Sequence, residues 1–213
     1  MNLLNNKTLY LILDTSYISV ECLPAVAVEC CEGGVDIIQF RDKILSDKEK
    51  LETALVLKKT IFPFSIPFII NDRIDIALAC EADGVHLGQD DLPIQKARDI
   101  CKKQGVSMLI GTSTHSLQQA EEAVAQSPDY IAVGPLYATQ TKPDYTPVGL
   151  NLARQLVKKY TLPIFGIGGV NEKTIDDVYA TGLRHIAVVS ALLQSTNRSK
   201  TIHNLKNIRR NHE

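Results

Sequence analysis

Residues 82–91 read Ala82-Asp83-Gly84-Val85-His86-Leu87-Gly88-Gln89-Asp90-Asp91, and the fold is read from this unit. A junction holding a polar residue and a glycine ends one helix, a short apolar run follows, and a polar loop with two acids comes next. Glycine or a polar residue is what a helix-to-strand turn requires, because the last helical carbonyls need a left-handed cap. The same grammar returns at Gly33-Gly34-Val35-Asp36, Pro128-Asp129-Tyr130 and Gly182-Leu183-Arg184-His185.

Working outward, β-rich runs fall at 9–13, 36–40, 68–70, 84–87, 108–111, 130–133, 164–167 and 185–189. Between them lie amphipathic stretches at 47–60, 74–81, 93–104, 116–126, 150–159 and 172–181. The first of these opens with Ser46-Asp47-Lys48-Glu49, a capping-box pattern. Strands and helices alternating in this number predict an α/β fold, a (β/α)8 TIM barrel with residues 1–213 in a single domain. An open doubly wound sheet has the same local grammar and is the structural alternative.

The 213 residues suit one such barrel, and a hydrophobic fraction of 45% suits one sizeable core. A formal net charge of -1 offers no electrostatic case for nucleic acid or an anionic membrane. Residues 1–7 carry neither an apolar core nor a cleavage pattern, and no run reaches the roughly 18 apolar residues of a membrane span. Five cysteines, two of them adjacent at Cys30-Cys31, form no framework pattern. The expected compartment is a reducing cytoplasm.

Residues that carry chemistry gather after the strands, where a barrel places its functional loops. Asn71-Asp72 closes one apolar run and Asp91 sits in the turn after another. Two carboxylates brought together there suit Mg2+, a hard cation that bridges to substrate phosphates. Taken singly, Asp72 also reads as an N-cap and Asp90-Asp91 as a solvated turn. In Gln39-Phe40-Arg41-Asp42-Lys43 the two-residue period puts Gln39, Arg41 and Lys43 on one side, cationic partners for a phosphate or a solvated strand end. Ser113, in Gly111-Thr112-Ser113-Thr114-His115, reads equally as a substrate donor or a turn former.

Further on, the loop Gly134–Lys142 places Thr139, Thr141 and Lys142 where they can wrap an anion. Gly166-Ile167-Gly168-Gly169 and Val189-Ser190-Ala191 stand where many barrels bind phosphate through backbone N–H groups. The segment 139–146 is the best lid candidate. These residues point to an enzyme that handles a magnesium-bound diphosphate.

Together the segments resemble the thiamine phosphate synthase family over almost the whole chain, from Leu9-Tyr10-Leu11 to Val189-Ser190-Ala191. The resemblance is carried by the motifs above with Asn71-Asp72-Arg73, His86–Asp91, Thr139-Gln140-Thr141-Lys142 and Gly168-Gly169. It implies a TIM barrel joining 4-amino-5-hydroxymethyl-2-methylpyrimidine diphosphate to a thiazole monophosphate, with or without a carboxyl group, releasing pyrophosphate. By the resemblance, Gln39, Phe40, Arg41, Asp42, Lys43 and Asn71 hold the pyrimidine diphosphate. Arg41, Lys43 and Lys142 lie on its phosphates, and Gln140 is a further substrate-binding residue. Ser113 touches the pyrimidine. Thr139, Thr141, Gly169, Val189 and Ser190 bind the thiazole phosphate, and Asp72 and Asp91 bind Mg2+. Arg41, Lys43, Ser113 and Lys142 are the expected catalytic groups.

An aminopyrimidine can stabilise positive charge at its exocyclic CH2, so departure of diphosphate can precede attack by the thiazole nitrogen, and His86 is given little catalytic weight. The expected partners are these small molecules, without nucleic acid or membrane, and homo-oligomerisation stays open. Phe40 and Thr112 are minor departures from the family pattern. Two alternatives share the reading: a thiazole tautomerase on the same barrel and a non-catalytic thiamine phosphate sensor. The tautomerase branch tends to lack the second acidic ligand and to carry histidine after the strand-six glycine. Here those positions are Asp91 and Pro135.

Overall fold

A computed structural model describes residues 8–139 and 146–207 of the chain. Among them eight parallel strands close into a barrel in sequence order: β1 (Thr8–Asp14), β2 (Ile37–Arg41), β3 (Phe68–Asn71), β4 (Gly84–Leu87), β5 (Leu109–Thr114), β6 (Tyr130–Val133), β7 (Ile164–Gly166) and β8 (His185–Val188). β8 pairs back to β1 with Thr8 beside His185, which closes the ring. Closure excludes the open-sheet alternative. It also removes every sheet edge.

Helices cover the outside: α1 (Leu23–Gly33), α2 (Asp47–Ile61), α3 (Ile74–Ala79), α4 (Ile94–Gln104), α5 (Leu117–Ala125), α6 (Gly149–Lys159), α7 (Ile175–Tyr179), α8 (Ser190–Leu193) and α9 (Arg198–Asn207). The Ser46 capping box forms as read, with Ser46 N–H donating to Glu49 at 2.9 Å and the Glu49 N–H answering. The stretch 172–181 shortens to α7, and β5 runs on to Thr114, so Ser113 lies inside a strand. α1 escapes the periodicity because it is almost wholly apolar. Its outer side is covered by α9, tied down by Arg198 to Glu29 at 2.8 Å and Lys206 to Asp36 at 2.9 Å.

The strand period of two sorts side chains between two cores. Leu9, Leu11, Leu13, Ile38, Phe40, Ile70, Val85 and Leu87 face the helices. Tyr10, Ile37, Ile69, Tyr130, Ala132, Phe165 and Ala187 fill the barrel interior. Tyr10 and Tyr130 meet Phe165 edge-on, with ring centroids 5.4 and 5.1 Å away. A barrel this narrow holds three such rings only if a neighbouring strand gives up space to them. Gly111 provides that gap: a Cβ there would stand 2.0 Å from Cζ of Tyr130.

Gly111→Ala is therefore expected to displace the Tyr130 ring and lower stability by about 1–3 kcal/mol, the ordinary cost of overpacking. Urea unfolding measures this. An unchanged midpoint would mean that the ring is not seated over Gly111.

Candidate active site

The C-terminal ends of all eight strands open on one face, where a cavity of about 790 Å³, open mouth included, enters the barrel. Among the predicted residues its wall takes in Gln39, Arg41, Asn71, Ser113, Thr139, Gly169, Val189 and Ser190. Lys43, Asp72 and Asp91 are bonded to one another just beyond Arg41 and Asn71 in the chain. Gln140, Thr141 and Lys142 lie outside the described residues, as does most of the segment 139–146.

β2 delivers the basic arm. Register places Asp14 beside Arg41, and the two form an ion pair at 2.5 Å with Asp14 almost fully buried. Ser16 donates to the same Asp14 through both N–H and hydroxyl, so Arg41 is aimed by a fixed carboxylate. Only one of its nitrogens is engaged in that pair, which leaves donors of the guanidinium fork for another anion. Phe40 and Asp42 differ from the sequence expectation. Phe40 is buried against the helices, and Asp42 folds its own loop, accepting from the N–H groups of Ile44 and Leu45 at 2.8 Å and from Thr15. Alternation turns both side chains away from the cavity, whose lining takes in neither residue.

Asp72 is not the N-cap of α3. Arg73 holds that position, without a side-chain cap bond, and Asp72 itself adopts a left-handed φ of 64°. For a residue with a Cβ this conformation is strained and calls for a compensating contact. The Asp72 N–H donates to the His86 carbonyl at 2.7 Å, and its carboxylate meets Lys43 and Asp91. Asp91 in turn accepts from the Gly88 N–H at 2.6 Å. Burial works to raise the Asp72 carboxyl, but the bonds from Asp91 and Lys43 outweigh it and hold it below its usual value. Burial, and then Asp72 beside it, push Asp91 up.

Two carboxyls in hydrogen-bond contact share a proton or a cation. A divalent cation fits this donor set of hard oxygens. Among the described residues no three His, Cys, Asp or Glu side chains gather into a metal site. A cation held by these two carboxylates alone would need water or a bound anion for the rest of its shell.

Beneath the cavity the polar groups are connected. Gln39 donates to the Tyr10 hydroxyl at 2.8 Å, Tyr10 meets Tyr130 at 3.0 Å, and Tyr130 meets His86 Nδ1 at 3.1 Å. His86 Nε2 reaches Ser113 Oγ at 2.9 Å. Tyr10, Tyr130 and His115 are not among the residues expected from the sequence, and the structure places His86 and His115 in the cavity wall and the two tyrosines beneath it. The signal was present in β4, where alternation around Val85 and Leu87 turns His86 inward. Opposite this row the wall is glycine-rich. Gly169 has φ of 69°, and a Cβ on it would stand 2.6 Å from that of Tyr137, so this turn admits no larger residue unstrained. Ser190 begins α8 immediately beyond β8.

The sequence profile described as Thiamine monophosphate synthase matches residues 9–192. The chain is 40% identical to a thiamine-phosphate synthase of Persephonella marina over 96% of both chains. It is 41% identical to one of Clostridium acetobutylicum over 88% of this chain and 87% of that one. A thiamine phosphate pyrophosphorylase from Pyrococcus furiosus superposes with a TM-score of 0.87 at 33% identity, covering 99% of each chain. The 3-hexulose-6-phosphate synthase of Salmonella typhimurium, at TM-score 0.74 and 16% identity, shares the fold.

The carboxyl pair has a stability signature. Above the raised titration point of Asp91 the metal-free protein bears two like charges in contact, and below it the shared proton removes the repulsion. Asp91→Asn is expected to raise the metal-free melting temperature by about 2–4 °C on the alkaline side and to lose that advantage as pH falls. Calorimetric scans from about pH 4 to pH 8 measure it. Equal melting at every pH would dissolve the pair.

Proposed function

The chain belongs to the thiamine monophosphate synthase family and is a transferase of thiamine biosynthesis, and on that premise we propose the substrates and the roles of its residues. It joins 4-amino-5-hydroxymethyl-2-methylpyrimidine diphosphate to a thiazole monophosphate, giving thiamine phosphate and pyrophosphate. One observation carries the reading. A single cavity is lined by Arg41 and by Gly168, Gly169 and Ser190, and the bonded set Lys43, Asp72 and Asp91 adjoins its Arg41 and Asn71 in the chain, which we read as a charged corner and a glycine and serine corner. Two anions can be held at one mouth with the reacting groups between them.

In this reading the diphosphate lies against Arg41 and Lys43, with Lys142 as a further phosphate ligand. Arg41 grips oxygen atoms with the nitrogens that Asp14 leaves open. Mg2+ held by Asp72 and Asp91 would supply charge for the departing diphosphate. Gln39, Asn71 and Ser113 orient the pyrimidine. Thr139, Thr141, Gly169, Val189 and Ser190 take the thiazole phosphate. Gln140 is a further substrate-binding residue. No protein nucleophile is needed, because the aminopyrimidine carries the positive charge that appears as the C–O bond breaks. The protein holds both reactants in line and excludes water from the cation.

An endpoint assay with both substrates and Mg2+ tests the reaction, with thiamine phosphate as the product sought. Its absence would overturn the proposal. The two corners separate by kinetics. Ser190→Asp should raise KM for the thiazole phosphate on the order of tenfold or more through charge repulsion, leaving the diphosphate KM near the parent value. Arg41→Lys keeps a cation beside Asp14 but loses the fork, so it should raise the diphosphate KM or lower kcat instead. Identical effects of both variants on both substrates would refute the two-corner arrangement.

Bond order can be tested on the same enzyme. If departure of diphosphate leads, replacing the pyrimidine methyl by trifluoromethyl should slow single turnover by orders of magnitude, because the group destabilises developing positive charge. An unchanged rate would point to direct displacement.

A further inference from the structure

The row Gln39, Tyr10, Tyr130, His86 and Ser113 crosses the barrel interior under the cavity, and its hydrogens can be counted. A carboxamide nitrogen only donates, and a phenol has one proton. Gln39 Nε2 donates to the Tyr10 oxygen at 2.8 Å, so the Tyr10 proton goes to the Tyr130 oxygen, 3.0 Å away. Tyr130 has then accepted, and its own proton goes to His86 Nδ1 at 3.1 Å. A ring nitrogen that accepts bears no proton. The imidazole proton is thus on Nε2, aimed at Ser113 Oγ at 2.9 Å. Ser113 has accepted from within the protein and turns its own proton to the cavity that it lines.

We propose that Tyr10 and Tyr130 are positioning residues that hold His86 as the neutral Nε2–H tautomer and thereby present Ser113 to the cavity as a hydrogen-bond donor. Both phenols are fully buried, and burial raises them above their ordinary range, so each keeps the proton the count assigns to it. An imidazolium does not fit the row. Both its nitrogens would donate, Tyr130 would have to pass its proton to Tyr10, and the Tyr10 proton would be left facing the Gln39 NH2 group.

The consequence for the reaction rests on the synthase reading above. A pyrimidine ring nitrogen is an acceptor, and Ser113 as donor matches it. A neutral imidazole behind Ser113 also keeps a fixed positive charge away from the ring on which the cation develops. The bland alternative is that the two tyrosines only fill the barrel. Packing alone would not select a tautomer.

Nitrogen NMR of the full chain labelled with 15N-histidine, free of substrate at neutral pH, distinguishes the two. His86→Gln identifies the resonances. In the parent, Nδ1 is expected in the unprotonated range and Nε2 in the protonated one. Tyr130→Phe keeps the ring but removes the proton donor, and should move both resonances towards the average of exchanging tautomers. It should also lower kcat on the order of tenfold, the effect of one hydrogen bond, with KM for the thiazole phosphate near the parent value. Tyr10→Phe leaves Tyr130 able to donate or accept, and should move the resonances the same way to a smaller extent.

A proton on Nδ1 in the parent, or an imidazolium, would overturn the proposal. So would a Tyr10→Phe or Tyr130→Phe protein with the His86 spectrum of the parent. The expected spectrum in a parent that makes no thiamine phosphate would support the tautomer and count against the synthase reading alone.

Discussion

Eight parallel strands closed into a ring leave an interior just wide enough for side chains to fill, so the ring depends on what fills it. Here the filling is aromatic: Tyr10, Tyr130 and Phe165 meet edge-on, and Gly111 gives up its side chain so that one ring can lie against the backbone. Edge-to-face pairs contribute about 0.5–1.5 kcal/mol each beyond their buried area. Two of these rings carry hydroxyls, which cannot be buried without partners. They find partners in each other, in Gln39 above and in His86 beside them. The requirement that holds the barrel open thus also builds the polar floor of the cavity.

The upper rim follows a second rule, that charge is positioned by opposite charge. Asp14 aims Arg41, and Asp72 meets Lys43. Removing one partner of a buried pair such as Asp14 and Arg41 costs on the order of 3–5 kcal/mol, so Arg41 is held firmly while keeping donors for a ligand. The strained backbone of Asp72 belongs to the same economy. Its left-handed φ turns the carboxylate back towards Asp91, and the bond from its N–H to His86 ties that turn to β4. These contacts hold the charged groups of the rim in place.

Much of this could be read in the chain. The strand positions, the capping box at Ser46 and the clustering of polar residues after strands are local properties, set by periodicity and by which residues end a helix or begin one. The membership of Gln39, Arg41, Asn71, Ser113, Gly169 and Ser190 in one cavity followed from placing them at the ends of strands in a barrel. Phe40 and Asp42 sat in the same run as Arg41 but turn to the helices and the loop, since neighbouring residues on a strand face opposite ways. α1 was hidden because a helix covered on both sides loses the polar stripe by which helices are recognised.

By itself, then, the sequence determined the order of the strands, the kind of barrel they make and the loops that gather at its mouth, because each rests on interactions between residues close along the chain. Tertiary structure alone decided that Asp72 touches Asp91, that Asp14 aims Arg41, and that Tyr10 and Tyr130 connect Gln39 to His86. Those contacts span separations of 19 to 120 residues. Ring closure sets the strand register that brings them together, and no local propensity encodes which distant atoms then fall within hydrogen-bond reach.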